Sequence, residues 1–218
     1  MSAANNFEIK LYHVLCIGFI ILFSLFTFIL SINTLHIALI WNLFLALIPF
    51  LFLYYEDKTK NIYLRVIFIV LWIIFLPNTF YTLTDLIHIQ FLEFHKVLNP
   101  YETSMIQNII PWIELINITI ISLLGFYIGC LNVNLFIKKF HSNYIVVMMI
   151  SFLSILCAIA IYIGRFLRFN SWDLWNPIHV LRIFIEHLNL FSFLFIVLFT
   201  VIIFIACLCY YMHNKLSS

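Results

Sequence analysis

An aspartate and a histidine stand three residues apart, Asp85 and His88, and their types and spacing suit chemistry. The pattern predicts a short amphipathic helix over residues 85–95, which would place His95 on the same side. An Asp and a His one helical turn apart can share a proton or bind one metal ion. The structural alternative is an Asp that caps the helix, beside histidines that face solvent or an interface.

A second polar stretch, residues 164–176, sets two arginines among aromatic side chains. Arginine suits bidentate contact with phosphate or carboxylate, so Arg165 and Arg168 are predicted to bind an anionic group. The alternative is a pair of arginines that reach water beside interfacial tryptophans. The residues predicted to bind substrate are Asn78, Tyr81, Arg165, Arg168, Asn170, Ser171, Asp173 and Arg182.

The helix predicted to begin at Pro177 carries a polar stripe at spacings of three, four and three, formed by His179, Arg182, Glu186 and Asn189. The four positions lie within an arc of about 80°. An Arg182–Glu186 ion pair at helical spacing explains two of them without any function, but it leaves His179 unexplained. The predicted catalytic residues, which a subordinate hypothesis makes the ligands of a divalent metal, are Asp85, His88, His179 and Glu186.

The composition indicates the class of protein that carries these residues. Of 218 residues, 65% are hydrophobic and 9% charged, whereas a soluble domain carries about 25% charged residues. So few charges cannot cover a water-facing surface, which excludes an ordinary soluble domain. No basic patch is dense enough to predict a nucleic-acid partner. The five cysteines all lie in apolar runs and are interpreted as small packing residues.

The apolar runs predict an all-α, polytopic transmembrane helix bundle with short interfacial helices on its outer face, in a single domain of residues 1–218. The six predicted spans are about 11–30, 35–54, 62–76, 111–136, 144–163 and 188–211. Pro77 is expected to end the third span. The helix from Pro177 exceeds one crossing, so its first turns, to about Asn189, are expected to lie in the interface or to bend.

The lysines and arginines predict the orientation of the spans. Seven flank one face, namely Lys10, Lys58, Lys60, Arg65, Lys138, Lys139 and Lys215, and four flank the other, namely Lys96, Arg165, Arg168 and Arg182. The richer face is predicted to be cytoplasmic, with both termini inside, in a multi-pass protein of the plasma membrane. Residues 77–110 and 164–189 then share the outer face. Glu114 and Asn117 lie near the outer end of the fourth span, where the helix dipole favours an acid.

Both stretches resemble a family of bacterial membrane proteins catalogued as domain of unknown function 1361. In the first stretch the resemblance rests on Leu76-Pro77-Asn78 with Tyr81, Thr84-Asp85-Leu86 and His88. In the second it rests on Gly164-Arg165 with Arg168, Asn170-Ser171-Trp172 and Asp173. The resemblance implies the fold and a membrane location, and it implies no reaction.

Two classes of function follow from these patterns. The leading hypothesis is an enzyme at the outer membrane–water interface that acts on a membrane lipid or lipid-linked anionic substrate by acid–base or metal-assisted chemistry. The alternative is a protein without catalysis, either an accessory subunit that binds an envelope protein partner or a small transporter. A transporter should carry ionisable groups near the middle of the bilayer, and the middles of the six predicted spans are almost wholly apolar.

Overall fold

The computed structural model describes residues 11–99, 102–105 and 107–216. Its helices are α1 (Leu11–Ser31), α2 (Leu35–Lys58), α3 (Ile62–Phe75), α4 (Pro77–Tyr81), a first 3-10 helix (Thr82–Phe91), α5 (Ile110–Ile137), α6 (Asn143–Phe166), a second 3-10 helix (Ser171–Trp175), α7 (Pro177–Glu186) and α8 (Leu190–Leu216). Strands β1 (His95–Asn99) and β2 (Glu102–Met105) form an antiparallel hairpin. Lys10 and the side chains of Cys16, His95, Lys96 and Trp172 lie outside the described residues.

Five stretches of helix are long and apolar enough to cross a membrane, namely Leu35–Lys58, Ile62–Phe91, Ile110–Ile137, Asn143–Phe166 and Leu190–Leu216. A shorter apolar stretch, Gly18–Ser31, belongs to α1. Their length and composition identify a membrane protein with transmembrane helices. The prediction of an all-α bundle is confirmed, and the small β-hairpin is an addition that the sequence did not predict.

Helix α3 ends at Phe75, just before Pro77, as predicted, but the apolar stretch does not end there. Leu76 keeps a helical backbone (φ −53°, ψ −41°), and Pro77 takes the first position of the next helix. A proline there lacks an N–H that would have no helical partner anyway, so the chain continues in nearly the same direction. The apolar stretch therefore runs on from α3 to Phe91.

The predicted helix over residues 85–95 is corrected. The first 3-10 helix begins at Thr82, contains Asp85 and His88, and ends at Phe91. His95 instead opens β1 and is paired with Met105, and two residues further the β-branched Val97 is paired with Thr103. Side chains of that type favour strand over helix.

The long helix from Pro177 is divided into α7 and α8 beside Asn189. The backbone N–H of Asn189 donates to Ser192 Oγ at 2.8 Å, and the backbone N–H of Ser192 donates to Asn189 Oδ1 at 2.9 Å. This reciprocal pair caps the start of α8, so a new helix begins where the sequence placed the bend.

Two glycines of α5 let α4 and the first 3-10 helix approach closely. A Cβ atom on Gly125 would lie 2.4 Å from Thr82 Oγ1, and one on Gly129 would lie 2.5 Å from Thr79 Oγ1. Small residues four apart are a common means of bringing membrane helices together. The Gly125-x-x-x-Gly129 spacing therefore fixes the position of the element that carries Asp85.

The two ends of the bundle carry different loops, and basic residues lie at both ends. The hairpin end carries the β-hairpin, the loop at residues 32–34 and residues 167–189, and the opposite end carries the loops at 59–61 and 138–142. At the opposite end the buried carboxylate of Glu56 pairs with Arg65 at 2.9 Å and with Lys139. This ion-pair cluster joins α2 and α3 to the end of α5.

Replacing Gly129 by Ala is expected to destabilise the protein by about 1–3 kcal/mol, because the new methyl group would overlap Thr79 and Phe80. Gly18→Ala is the matched control, since a Cβ there meets nothing within 4 Å and alanine favours the helix. Thermal unfolding of the purified protein in one detergent measures both. Equal midpoints for the two variants would contradict the close packing.

Candidate functional site

The two polar stretches meet at a buried ion pair. Arg165 lies in the last turn of α6, and its Nη1 is 3.5 Å from Oδ1 of Asp85 in the first 3-10 helix. Asp85 is 2% exposed and the Arg165 side chain is 19% exposed. A carboxylate can remain charged in such surroundings only if it is paired and hydrogen-bonded.

Asn42 supplies the second partner of Asp85. Its Nδ2 donates to Asp85 Oδ2 at 2.8 Å, so each carboxylate oxygen contacts a different helix. Asn42 is a single polar residue among apolar neighbours in α2, so its position in the sequence alone does not indicate a role. Its contact with Asp85 joins α2 to the site.

Arg165 is held in a fixed orientation by three acceptors. Beside Asp85, its Nη1 donates to the Tyr81 hydroxyl at 3.2 Å, and its Nη2 donates to the Thr84 carbonyl at 2.8 Å. The guanidinium also lies 5.5 Å from the centre of the Tyr81 ring. Guanidinium has five N–H groups, so Nε and one hydrogen of Nη2 have no partner among the described residues. These two donors can bind an anion.

A cavity of about 190 Å³ opens beside this cluster. Its polar lining comes from both stretches and from α2, and it consists of Asn42, Asn78, Tyr81, Asn170 and Ser171. Asn78 Nδ2 donates to Ser171 Oγ at 3.1 Å, which is a second direct contact between the stretches. The structure thus brings together Asn78, Tyr81, Asp85, Arg165, Asn170 and Ser171.

Asp173 and Asn170 have a local structural role. The Asp173 carboxylate accepts the backbone N–H of Asn170 at 2.6 Å, and the Asp173 N–H donates to the Asn170 carbonyl at 3.0 Å. These bonds cap the second 3-10 helix and shape the loop over the cavity. The contacts of Asp173 therefore explain it as a loop-forming residue.

Arg168 follows the end of α6 with a left-handed backbone (φ 60°) and an exposed side chain. A residue other than glycine costs about 1–2 kcal/mol in that conformation. The guanidinium makes no hydrogen bond to the parts of the chain that the structure describes. Arg168 therefore stands beside the site without being part of the ion-pair cluster.

His88 lies on the other side of the first 3-10 helix from the cavity. It lines a second cavity of about 360 Å³, together with Glu114, Asn33 and Phe91. Its ring is tilted against Phe91, with the two centres 6.2 Å apart. No hydrogen bond joins His88 to Asp85 among the described residues, so the predicted one-turn pair is not formed as a contact.

The polar stripe of α7 faces away from the ion pair. His179 is exposed and contacts Phe169 edge-on, with the ring centres 5.8 Å apart. Arg182 Nε lies 3.7 Å from Glu186 Oε1, and the two side chains are 72% and 55% exposed. Within the described ranges no three His, Cys, Asp or Glu side chains converge on a metal site. The hypothetical ligand set of Asp85, His88, His179 and Glu186 is not assembled.

A buried polar network joins Glu114 and Asn117, near the outer end of their span, to His36 and Ser24, for which the sequence predicted no role. His36 is wholly buried at the start of α2, and its Nε2 lies 3.3 Å from Glu114 Oε1. Asn117 Nδ2 lies 2.8 Å from His36 Nδ1, and Ser24 donates to Asn117 Oδ1 at 2.6 Å. The signal available was a histidine in the first turn of an apolar span, which has to face the bundle interior.

Comparison with known proteins identifies a family but no activity. A family model described as "Protein of unknown function (DUF1361)" matches residues 41–206, which is more than half of the chain. No curated protein and no solved structure matches the chain. The matched range includes Asn42, Asp85 and Arg165, and it leaves out α1 and His36.

Asp85→Asn and Arg165→Gln are each expected to destabilise the protein, because each leaves the other partner largely buried without its counter-charge. The double variant should lose less than the sum, with a coupling of about 0.5–3 kcal/mol. Thermal unfolding of the four proteins measures the cycle. The same cycle on the exposed Arg182–Glu186 pair is the control, with a coupling of at most about 0.5 kcal/mol. Equal couplings in the two cycles would refute the structural role of the buried pair.

Arg168→Gly is expected to raise the free energy of unfolding by up to about 1 kcal/mol, since glycine adopts a positive φ without strain. Arg168→Ala keeps the strain and removes the same charge, so it should not stabilise the protein. Denaturation of both variants under matched conditions distinguishes backbone strain from charge. A stabilisation shared by the two would trace the effect to the charge.

Proposed function

The chain belongs to the DUF1361 family of proteins of unknown function, and from its site we propose an enzyme that acts on an anionic membrane lipid or lipid-linked substrate. The single observation that supports this proposal is the partly satisfied guanidinium of Arg165, which is hydrogen-bonded to Tyr81, a residue that lines the cavity. Two free N–H donors in fixed positions suit a phosphate or carboxylate oxygen.

The side chains of the cavity suggest a division of roles. Arg165 would bind the anionic group, with Asn78 and Ser171 as neutral hydrogen-bonding partners. The two carboxylate oxygens of Asp85 contact Asn42 and Arg165, so Asp85 is best placed to fix the guanidinium, which makes it a positioning residue. Tyr81 lines the cavity and its oxygen accepts from Arg165, so its own O–H can donate a proton to bound substrate.

This arrangement favours acid–base chemistry over the metal-assisted version. His179 and Glu186 lie exposed on α7, and His88 lines a different cavity from Tyr81. Contacts among described residues therefore support a proton donor and an anion-binding arginine more directly than a set of metal ligands.

We further propose that the hairpin end faces outward from the plasma membrane in a protein that crosses it six times. The opposite end holds Lys58, Arg65 and Lys139, and basic residues near helix ends favour the cytoplasmic side. Both termini would then be cytoplasmic, and the Arg165 site would be extracytoplasmic.

The accessory-subunit alternative is favoured by one observation, the exposed apolar face of α7. Ile178, Leu181 and Ile185 all expose more than half of their surface, and a partner protein in the envelope could cover them. The enzyme and the subunit respond differently to conservative changes in the cavity, because docking on α7 does not require the Arg165 guanidinium.

The enzyme hypothesis predicts that one lipid or lipid-linked species accumulates when the cavity is disabled. A deletion strain complemented with Arg165→Gln or Tyr81→Phe should accumulate that species at least tenfold over the strain with wild-type protein. Mass spectrometry of total envelope lipids at matched protein level makes the measurement.

Arg182→Gln is the matched control, because it removes an exposed arginine of the same end without touching the cavity. It should give the wild-type profile. Identical lipid profiles in the deletion and wild-type strains would refute the enzyme and favour the accessory subunit.

A further inference from the structure

We propose that the substrate is an amphiphile that enters the cavity sideways from the bilayer, between α2 and α6, and leaves most of its hydrocarbon chain in the membrane. This inference rests on the proposed function and adds the route of entry and the shape of the ligand. It follows from the layering, the volume and the mouth of the cavity.

The lining of the cavity changes from polar to apolar on two of the segments that form it, and on α6 it is small and apolar throughout the compared turn. On α2, polar Asn42 is followed one turn deeper in the bundle by Leu45. On the α3–α4 segment, Ile74 lies one turn deeper than Asn78. On α6, Ala160 lies one turn deeper than Gly164. The cavity therefore has a polar rim toward the hairpin end and an apolar floor toward the middle of the span, which matches a head group joined to hydrocarbon.

The volume limits how much of a ligand can enter. A cavity of about 190 Å³ is smaller than the roughly 300–1,000 Å³ of pockets that enclose a whole small-molecule ligand. That space holds a phosphate-sized group and a few methylenes, and it cannot hold a lipid with its chains. The chains must leave the cavity through an opening that leads to hydrocarbon.

The position of the walls gives the direction of that opening. α4 packs against both α2 and α6 and forms the back of the cavity. Phe169, Ser171 and Val180 cover the cavity from the hairpin end. α2 and α6 both line the cavity but do not pack closely against each other, so we infer that the remaining side is the gap between them.

Trp41 stands at this gap as an aromatic residue of the outward surface. It lines the cavity while 50% of its surface is exposed, and its ring lies 5.6 Å from that of Phe44, which is also exposed. Aromatic rings of this kind are enriched at the level of lipid head groups. Trp41 therefore marks the height at which a head group would pass from the bilayer to Arg165.

Photo-crosslinking tests the route with the full chain in nanodiscs. The probes are phosphatidylglycerol and phosphatidylcholine, each with a diazirine in one acyl chain. The wild-type protein should crosslink to the anionic probe at least fivefold more than to the zwitterionic one, with label on peptides of α2 and α6. Ala160→Trp, which fills the floor of the gap, should reduce this labelling at least fivefold, and Leu45→Trp should do the same from the opposite wall.

Ile155→Trp is the matched control, because Ile155 is exposed on α6 and does not line the cavity. It should label within twofold of the wild type. Labelling that survives both Ala160→Trp and Leu45→Trp in folded protein would overturn the lateral route. An Arg165→Gln arm separates the two proposals. If Arg165→Gln labels like wild type while Ala160→Trp does not, lateral entry stands and the anion site fails; the reverse result keeps the anion site and rejects lateral entry.

Discussion

The arrangement of the bundle at its hairpin end depends on one constraint, the need to satisfy a carboxylate buried among apolar helices. Asp85 is 2% exposed, so burial removes most of the hydration that its carboxylate would have in water. Its two oxygens instead take a donor from α2 and a charged donor from α6. Three segments distant in sequence are thereby held at one point, and the polar rim of the cavity follows from that geometry.

The constraint can be met because the neighbouring backbone is unusual. Two glycines of α5 let α4 and the first 3-10 helix pack so closely against α5 that a methyl group on either glycine would not fit. In a 3-10 helix the residues at i and i+3 stand nearly above one another, so the chain presents a narrow edge to α5. Close packing on one side and the Asp85 contacts on the other support a 3-10 segment longer than such helices usually are.

The sequence predicted the class of fold and the two polar stretches, because hydrophobic run length and clustered polar residues are local signals. The family followed from the resemblance of those stretches to known members, and the family model confirms it. The sequence did not predict the helix that begins at Pro77. A proline indicates where one helix ends, but it does not indicate whether another helix begins at the same residue. The sequence also missed Asn42 and His36, since a single polar residue in an apolar span gains meaning only through its partner. The expected catalytic pair failed as a contact for a related reason: the tertiary packing pairs Asp85 with Asn42 and Arg165, while His88 lines the second cavity.

The first 3-10 helix also sets a distance. Each residue of a 3-10 helix rises about 2.0 Å, whereas each residue of an α-helix rises about 1.5 Å. Over the ten residues from Thr82 to Phe91 the difference amounts to about 5 Å, close to one turn of α-helix. The β-hairpin is therefore carried about one helical turn farther from the Gly125–Thr82 contact than the same number of residues would carry it in α form. The distance that this segment spans therefore depends on its type of helix as well as on its number of residues.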